Sequence, residues 1–284
     1  NNNVLRLHLP KYPKKSKTLP HICTFGGTNH HIMFNYGIDR LNTGKALAIL
    51  KGDLKAQISD EAHQKIEASH KIVLKTSKGN QAVYGINTGF GPICDTIISK
   101  ENTSELQRKL LLSHAVGVGD PIDPELAKLM LILKVHSLAK GYSGISMDVL
   151  ERILWHIEQD IIPVVPEQGS VGASGDLAPL AHLFLPLIGE GQVFFEGKIT
   201  ETSSVLESKG KKPVDLHPKA GLALINGTQF ILAHAVRAVD QLHNCLAHAD
   251  IIGSLMVEGL MGSQMPFHAE LHKTRPHKGN SHVA

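Results

Sequence analysis

Apolar residues recur at helical spacing along most of this chain. Ser59-Asp60-Glu61 sets a cap and two acids ahead of Ala62, Ile66, Ile72 and Val73, which predicts an amphipathic helix. Asp123-Pro124 supplies a cap and a first-turn proline for an apolar run from Leu126 to Leu138, with a stop at Gly141. Ser146 opens a further helix whose Val149, Leu150, Ile153, Leu154 and Ile157 share one face, and Pro163 and Pro166 end it. The longest candidate starts near Thr228 and runs through Phe230, Ile231, Val236, Val239 and Leu242 toward Ala249. It is apolar over most of its circumference, the pattern of a helix inside a bundle. Strand signals are few: Val193-Phe194-Phe195 and Lys198-Ile199-Thr200 flank Glu196-Gly197, a hairpin signature. The expected fold is mainly α with a small β appendage, and no repeat of 20–50 residues is visible.

Composition narrows the class. The 284 residues are 42% hydrophobic and 19% charged, as in an ordinary globular chain with room for a sizeable core. The 26 Gly and 14 Pro follow no three-residue period, which excludes a collagen-like chain. The longest apolar run, Leu183 to Ile188, contains Pro186 and is far short of the roughly 18 residues of a membrane helix. The net charge of +3 suggests a nucleic-acid partner until it is located: residues 1–31 carry Arg6, Lys11, Lys14, Lys15 and Lys17 and no acid. Without those five bases the remaining chain is net acidic, so the basicity belongs to a leader expected to be mostly unstructured, and neither nucleic acid nor membrane is an expected partner. Cys23, Cys94 and Cys245 are too widely spaced for a disulfide framework or a zinc motif, which fits a reducing, cytoplasmic setting. His268-Ala-Glu-Leu-His272 has histidines at i and i+4, but its glutamate stands third where a metalloprotease motif needs it second.

Two segments break the helical pattern with glycine: Tyr84-Gly-Ile-Asn-Thr-Gly-Phe-Gly91 and Gly169-Ser-Val-Gly-Ala-Ser-Gly-Asp176. Glycine content alone would equally mark two mobile connections. The second segment has no lysine for a phosphate loop, has GxxGxxG spacing where a dinucleotide fingerprint needs GxGxxG, and ends in Asp where a nucleophile elbow needs Gly. What remains is Ala173-Ser174-Gly175. The unhindered Gly175 nitrogen can attack the Ala173 carbonyl carbon; ring closure and loss of two waters would turn Ser174 into an exocyclic methylidene electrophile. Asp176 is expected to cap the helix beginning at Leu177 and to assist the dehydration. That helix would aim its positive end at the ring.

The run Gly169-Ser-Val-Gly-Ala-Ser-Gly-Asp-Leu-Ala-Pro-Leu180 resembles the signature of the aromatic amino acid ammonia-lyases, which build a methylidene-imidazolone (MIO) from Ala-Ser-Gly. Three further segments are similar to that family's motifs in order and spacing: Tyr84 to Gly91 its tyrosine loop, Leu112-Ser-His-Ala-Val-Gly-Val-Gly119 its substrate-ring segment, and Gly221-Leu-Ala-Leu-Ile-Asn-Gly-Thr-Gln229 its asparagine motif. The similarity covers roughly residues 32 to 284. It implies a helical bundle of the ammonia-lyase type with a small N-terminal α+β part and a short β-hairpin. The expected organisation is a leader (1–31), an N-terminal lyase domain (32–140) and the MIO loop with the start of a central helical domain (141–284).

By the same resemblance Ala173, Ser174 and Gly175 are the MIO precursors and Tyr84 takes the substrate's β-proton. Asn226 helps hold the amino acid end, and His114 faces the substrate's ring. Taken singly, Tyr84 reads as a packed aromatic, His114 as a helix-end histidine and Asn226 as a helix cap. An unsubstituted phenyl ring would leave His114 unpaired, at a cost of about 1–3 kcal/mol, which argues against phenylalanine. His114 followed by Ala115 resembles the histidine-specific members, implying conversion of L-histidine to trans-urocanate and ammonia. A tyrosine lyase or aminomutase, or a non-catalytic partner of an intact lyase, is the alternative. No metal or nucleotide is implied. Members of the family are longer, so a carboxylate-binding arginine, a second active-site tyrosine, a C-terminal glutamate and much of the bundle that forms a homotetramer would lie beyond Ala284. Long apolar helices such as 228–249 are then expected to expose association-prone patches.

Overall fold

A computed structural model of the protein describes residues 33–89, 98, 103–172 and 174–284. The basic leader, Cys23, Cys94 and Ala173 lie outside the described residues. The chain from Met33 enters a parallel pair, β1 (Phe34–Asn35) with β2 (Ala56–Gln57), around α1 (Thr43–Lys51). Then follow α2 (Asp60–Ser77), α3 (Thr103–His114) and β3 (Val118–Pro121), which pairs antiparallel with β5 (Pro166–Gln168). The helices α4 (Pro124–Leu138) and α5 (Met147–Glu158) lead into β4 (Ile162–Pro163). After α6 (Leu177–Phe184) and a 3-10 turn, β6 (Gln192–Phe195) and β7 (Lys198–Glu201) join β4 in a three-stranded sheet. The chain continues through α7 (Thr202–Ser208), α8 (Ala220–Ile225) and the long α9 (Gln229–Gly259) to the short α10 (Ala269–His272) and α11 (Lys278–Val283).

The local signals act as their chemistry requires. Ser59 Oγ accepts the Ala62 amide and Asp123 Oδ1 accepts the Glu125 amide, so both expected caps form. The Glu196-Gly197 loop takes positive φ at both residues and closes β6 on β7 with Phe195 opposite Lys198. One expectation about a face fails. Ala62, Ile66 and Val73 are buried, but Ile72 is 65% exposed, because it lies some 100° round the helix from Val73 and faces water.

The hub is α4. Leu126, Ala127, Leu129 to Leu133, Val135 and Leu138 are buried around its whole circumference, as a helix packed on several sides requires. It packs against α1, α5, α9 and β4, and Arg237 of α9 pairs with Asp123 and Glu125 at its first turn. The main core draws on residues from Phe34 to Val236. Beyond Val236 the helix α9 leaves that core. It runs ten residues past the expected end at Ala249, with Val239, Leu242, Leu246, Ile251, Ile252 and Leu255 exposed. No helix among the described residues is long and apolar enough to cross a membrane.

Candidate active site

The glycine-rich segment 169–176 is laid against the turn between α8 and α9. Gly175 has φ +89° and forms a parallel bridge with Gly227, and the Asp176 amide donates to Gly227 O at 2.7 Å. A Cβ on Gly175 would sit 2.1 Å from that same oxygen, so only glycine lets the two backbones meet. The contact brings Ser174 and Gly175 beside Asn226, which closes α8 as its C-terminal cap. Both Ser174 and Asn226 are exposed. These residues fit the expected prosthetic group: the serine is accessible and the segment has the glycine it needs where the backbone is most crowded.

Asp176 is fully buried, and its carboxylate works differently from the expectation. It makes no side-chain cap on α6. Its Oδ1 accepts the Ser170 hydroxyl at 2.7 Å and its Oδ2 accepts the Ile231 amide, in the first turn of α9, at 3.0 Å. The reason is conformational. A capping residue needs extended backbone to swing its side chain over the first turn, whereas Asp176 has φ −99° and ψ 54°. Pairing with Gly227 turns the carboxylate toward the amide end of α9 instead, where its charge meets the helix dipole. One residue thus ties the loop to itself and to the following helix.

Lys134 approaches the same junction from the hub helix. It is 2% exposed, and its ammonium donates to Asn226 O at 2.9 Å. Burial pushes its pKa down to about 7. A Cβ on Gly227 would lie 3.1 Å from Lys134 Nζ and 2.2 Å from Gln229 Oε1, which is buried and has no hydrogen-bond partner among the described residues.

His114 ends α3, and α3 packs on both α6 and α8. Its Nδ1 lies 2.9 Å from Leu110 O and 3.0 Å from Ser113 Oγ; the tautomer with the proton on Nδ1 donates it to the carbonyl and presents Nε2 as an acceptor. Gln107, fully buried on the same helix, accepts the Gly221 amide at 2.9 Å and thereby fixes α3 to the start of α8. Just after His114, the Gly117 amide donates to His182 Nε2 of α6 at 2.9 Å. His182 is therefore neutral with its proton on Nδ1, and burial holds its pKa below the usual histidine range.

Tyr84 stands 56% exposed on a turn braced from within. Asn87 accepts the Val83 amide at 2.8 Å and donates to Gln81 O at 2.9 Å, while Thr88 Oγ1 accepts the Gly85 amide at 3.3 Å. Asn87 and Thr88 are buried, so they hold the turn and leave the tyrosine outward. Phe90 and Gly91 of the same motif lie outside the described residues.

Sequence reasoning missed Lys134, Gln107, His182, Ser170 and Asn87. For Lys134 a signal existed, a lone lysine between Leu131-Ile132-Leu133 and Val135. Gln107 and His182 carry none, since their partners lie 114 and 65 residues away.

Comparison with known proteins shows what the chain as a whole is similar to. The family model for aromatic amino acid lyase matches residues 41–284. The histidine ammonia-lyase of Myxococcus xanthus is 43% identical over 246 residues, which are 87% of this chain and 48% of that protein. The crystal structure of histidine ammonia-lyase from Trypanosoma cruzi superposes with a TM-score of 0.81 at 38% identity, covering 88% of this chain and 49% of that one. The tyrosine aminomutase of Streptomyces globisporus gives a TM-score of 0.82 at 32% identity, covering 89% and 48%. The chain spans about half the length of the relatives it matches. With the family match running from Leu41 to the last residue, the chain belongs to the aromatic amino acid lyase family.

Proposed function

We propose that this chain carries the electrophile loop and part of the substrate site of a histidine ammonia-lyase, which converts L-histidine to trans-urocanate and ammonia. The observation that carries the reading is the Gly175–Gly227 junction, which sets Ser174 and Gly175 beside Asn226. A methylidene-imidazolone formed from that tripeptide supplies an electrophile that withdraws electrons from the amino acid and makes its amine a better leaving group. The remaining work falls to side chains. Asn226 offers an amide donor and acceptor to the amino acid end. Tyr84, outward on its braced turn, accepts the β-proton. In the tautomer that donates from Nδ1 to Leu110 O, Nε2 of His114 accepts and suits the N–H of an imidazole substrate, and it has no use for a phenyl ring. Asp176 keeps the loop in register with α9 while the amino end of α6 adds a partial positive charge beside Gly175.

The higher identity to proteins named histidine ammonia-lyase than to the tyrosine aminomutase supports histidine over tyrosine. The exposed apolar length of α9 supports association of the whole protein into a homotetramer, and the reading needs no metal and no nucleotide. The test is turnover of L-histidine by the full-length protein, followed by urocanate absorbance and ammonia release, with L-tyrosine in parallel. An intact mass two waters below the encoded value is expected. Turnover of tyrosine alone would move the assignment to the tyrosine enzymes; no turnover of either, with an unmodified mass, would reject it.

A further inference from the structure

We propose that Lys134 is a positioning residue of this site: from inside the hub helix its ammonium holds the Asn226 carbonyl and so sets the Asn226–Gly227 peptide on which the Ser174–Asp176 loop is laid. The proposal deepens the lyase reading and rests on it for its catalytic consequences.

Four contacts run in series from the core to the loop. Lys134 Nζ donates to Asn226 O at 2.9 Å. The next residue, Gly227, is crowded: a Cβ there would fall 2.2 Å from Gln229 Oε1 and 3.1 Å from Lys134 Nζ. Gly227 O in turn accepts the Asp176 amide at 2.7 Å and lies where a Cβ on Gly175 would fall. Asp176 then passes the constraint to Ser170 and to α9.

Packing does not call for a charge at this position. Leu131, Leu133, Val135 and Leu138 surround Lys134 on α4, and a methionine would match them in length and polarity. An ammonium in such surroundings is costly unless it is hydrogen-bonded, and its acceptor among the described residues is a backbone oxygen of the proposed substrate-binding asparagine. Gln229 Oε1, buried without a partner among the described residues and beside the same glycine, adds an unsatisfied polar atom at the junction. Buried polar atoms of this kind concentrate where backbone placement is held for a purpose other than stability. The site places Asn226 for the substrate and Gly175 for ring closure, and one buried amino group in the core governs both.

The experiment compares Lys134→Met and Lys134→Arg with the unaltered full-length protein. Hydrogen exchange of the peptide covering residues 174–177 comes first, because it reads the Asp176–Gly227 bond whatever the enzyme does. In K134M this peptide is expected to exchange about tenfold faster while α2 is unchanged. Next, the intact mass reports how much of the protein has lost two waters, and kinetics on L-histidine separate kcat from KM. K134M is expected to mature incompletely, and its matured fraction to show kcat lowered about tenfold or more with KM raised. K134R, which keeps a cationic donor, is expected to recover most of both. Should K134M fail to fold, K134Q takes its place, since its shorter amide cannot reach Asn226 O. Unchanged exchange at 174–177, or wild-type kcat, KM and mass in a folded K134M, would overturn the proposal. Absent turnover and an unmodified mass in the unaltered protein would instead defeat the lyase reading, with the exchange comparison still deciding the role of Lys134.

Discussion

Replacing Asp176 separates two things a buried carboxylate can supply, charge and hydrogen-bond geometry. Its two oxygens face different donors, the Ser170 hydroxyl at 2.7 Å and the Ile231 amide at 3.0 Å. In Asp176→Asn the amide oxygen can stay on the Ile231 N–H, and the new NH2 then faces Ser170. A hydroxyl can turn and accept, so both contacts survive. What is lost is the charge-assisted part of each bond and the favourable term with the α9 dipole, together about 1–2 kcal/mol. Asp176→Ala keeps neither contact. The Ile231 amide loses its fully buried acceptor, costing about 1–3 kcal/mol, and the Ser170 bond and the dipole term add about 1–2 more. The alanine variant is therefore expected to be less stable than the asparagine variant by about 2 kcal/mol. Urea unfolding checks this, followed by far-UV circular dichroism and by the fluorescence of Trp155, the only tryptophan. Equal losses in the two variants would refute the argument that geometry outweighs charge here.

Three further outcomes are expected. Burial pushes the His156 imidazole down to about 4 from its usual 6.5, with Nδ1 donating to Ile161 O. The unfolded chain then binds one more proton between these values. Stability from this group is intact above pH 6.5 and falls by about 3 kcal/mol as pH drops to 4. His156→Asn keeps the donor but does not titrate, so its stability should fall less steeply over that window; parallel slopes would contradict the linkage. Gly175→Ala should cost about 3 kcal/mol, from positive φ and the lost Asp176–Gly227 bond, while Gly172→Ala, with open space around its Cβ, should cost about 1 kcal/mol. Paired denaturation curves test the difference. His182→Phe removes the acceptor of the Gly117 amide and should destabilise by about 1–2 kcal/mol and raise KM for histidine more than it lowers kcat. An unaltered KM would count against a role for His182 in setting the His114 segment.

What the sequence could state by itself was local. Ser59 and Asp123-Pro124 start their helices because a cap needs only the two or three residues that follow it. Glu196-Gly197 closes its hairpin because the turn lies in its own backbone angles. The four motifs were legible as well, since each is a run of adjacent residues. The tertiary structure decided which remote partner each polar group finds. Asp176, adjacent to α6, caps α9 because the glycine junction rotates it there. Lys134, whose residue type points to the surface, is enclosed because α4 is packed on every side. Gln107 and His182 have partners that no local pattern encodes. Caps, turns and periodicity are satisfied within a few bonds along the chain. The registration of distant backbones is settled only when loops close and desolvation leaves each buried donor one acceptor within reach.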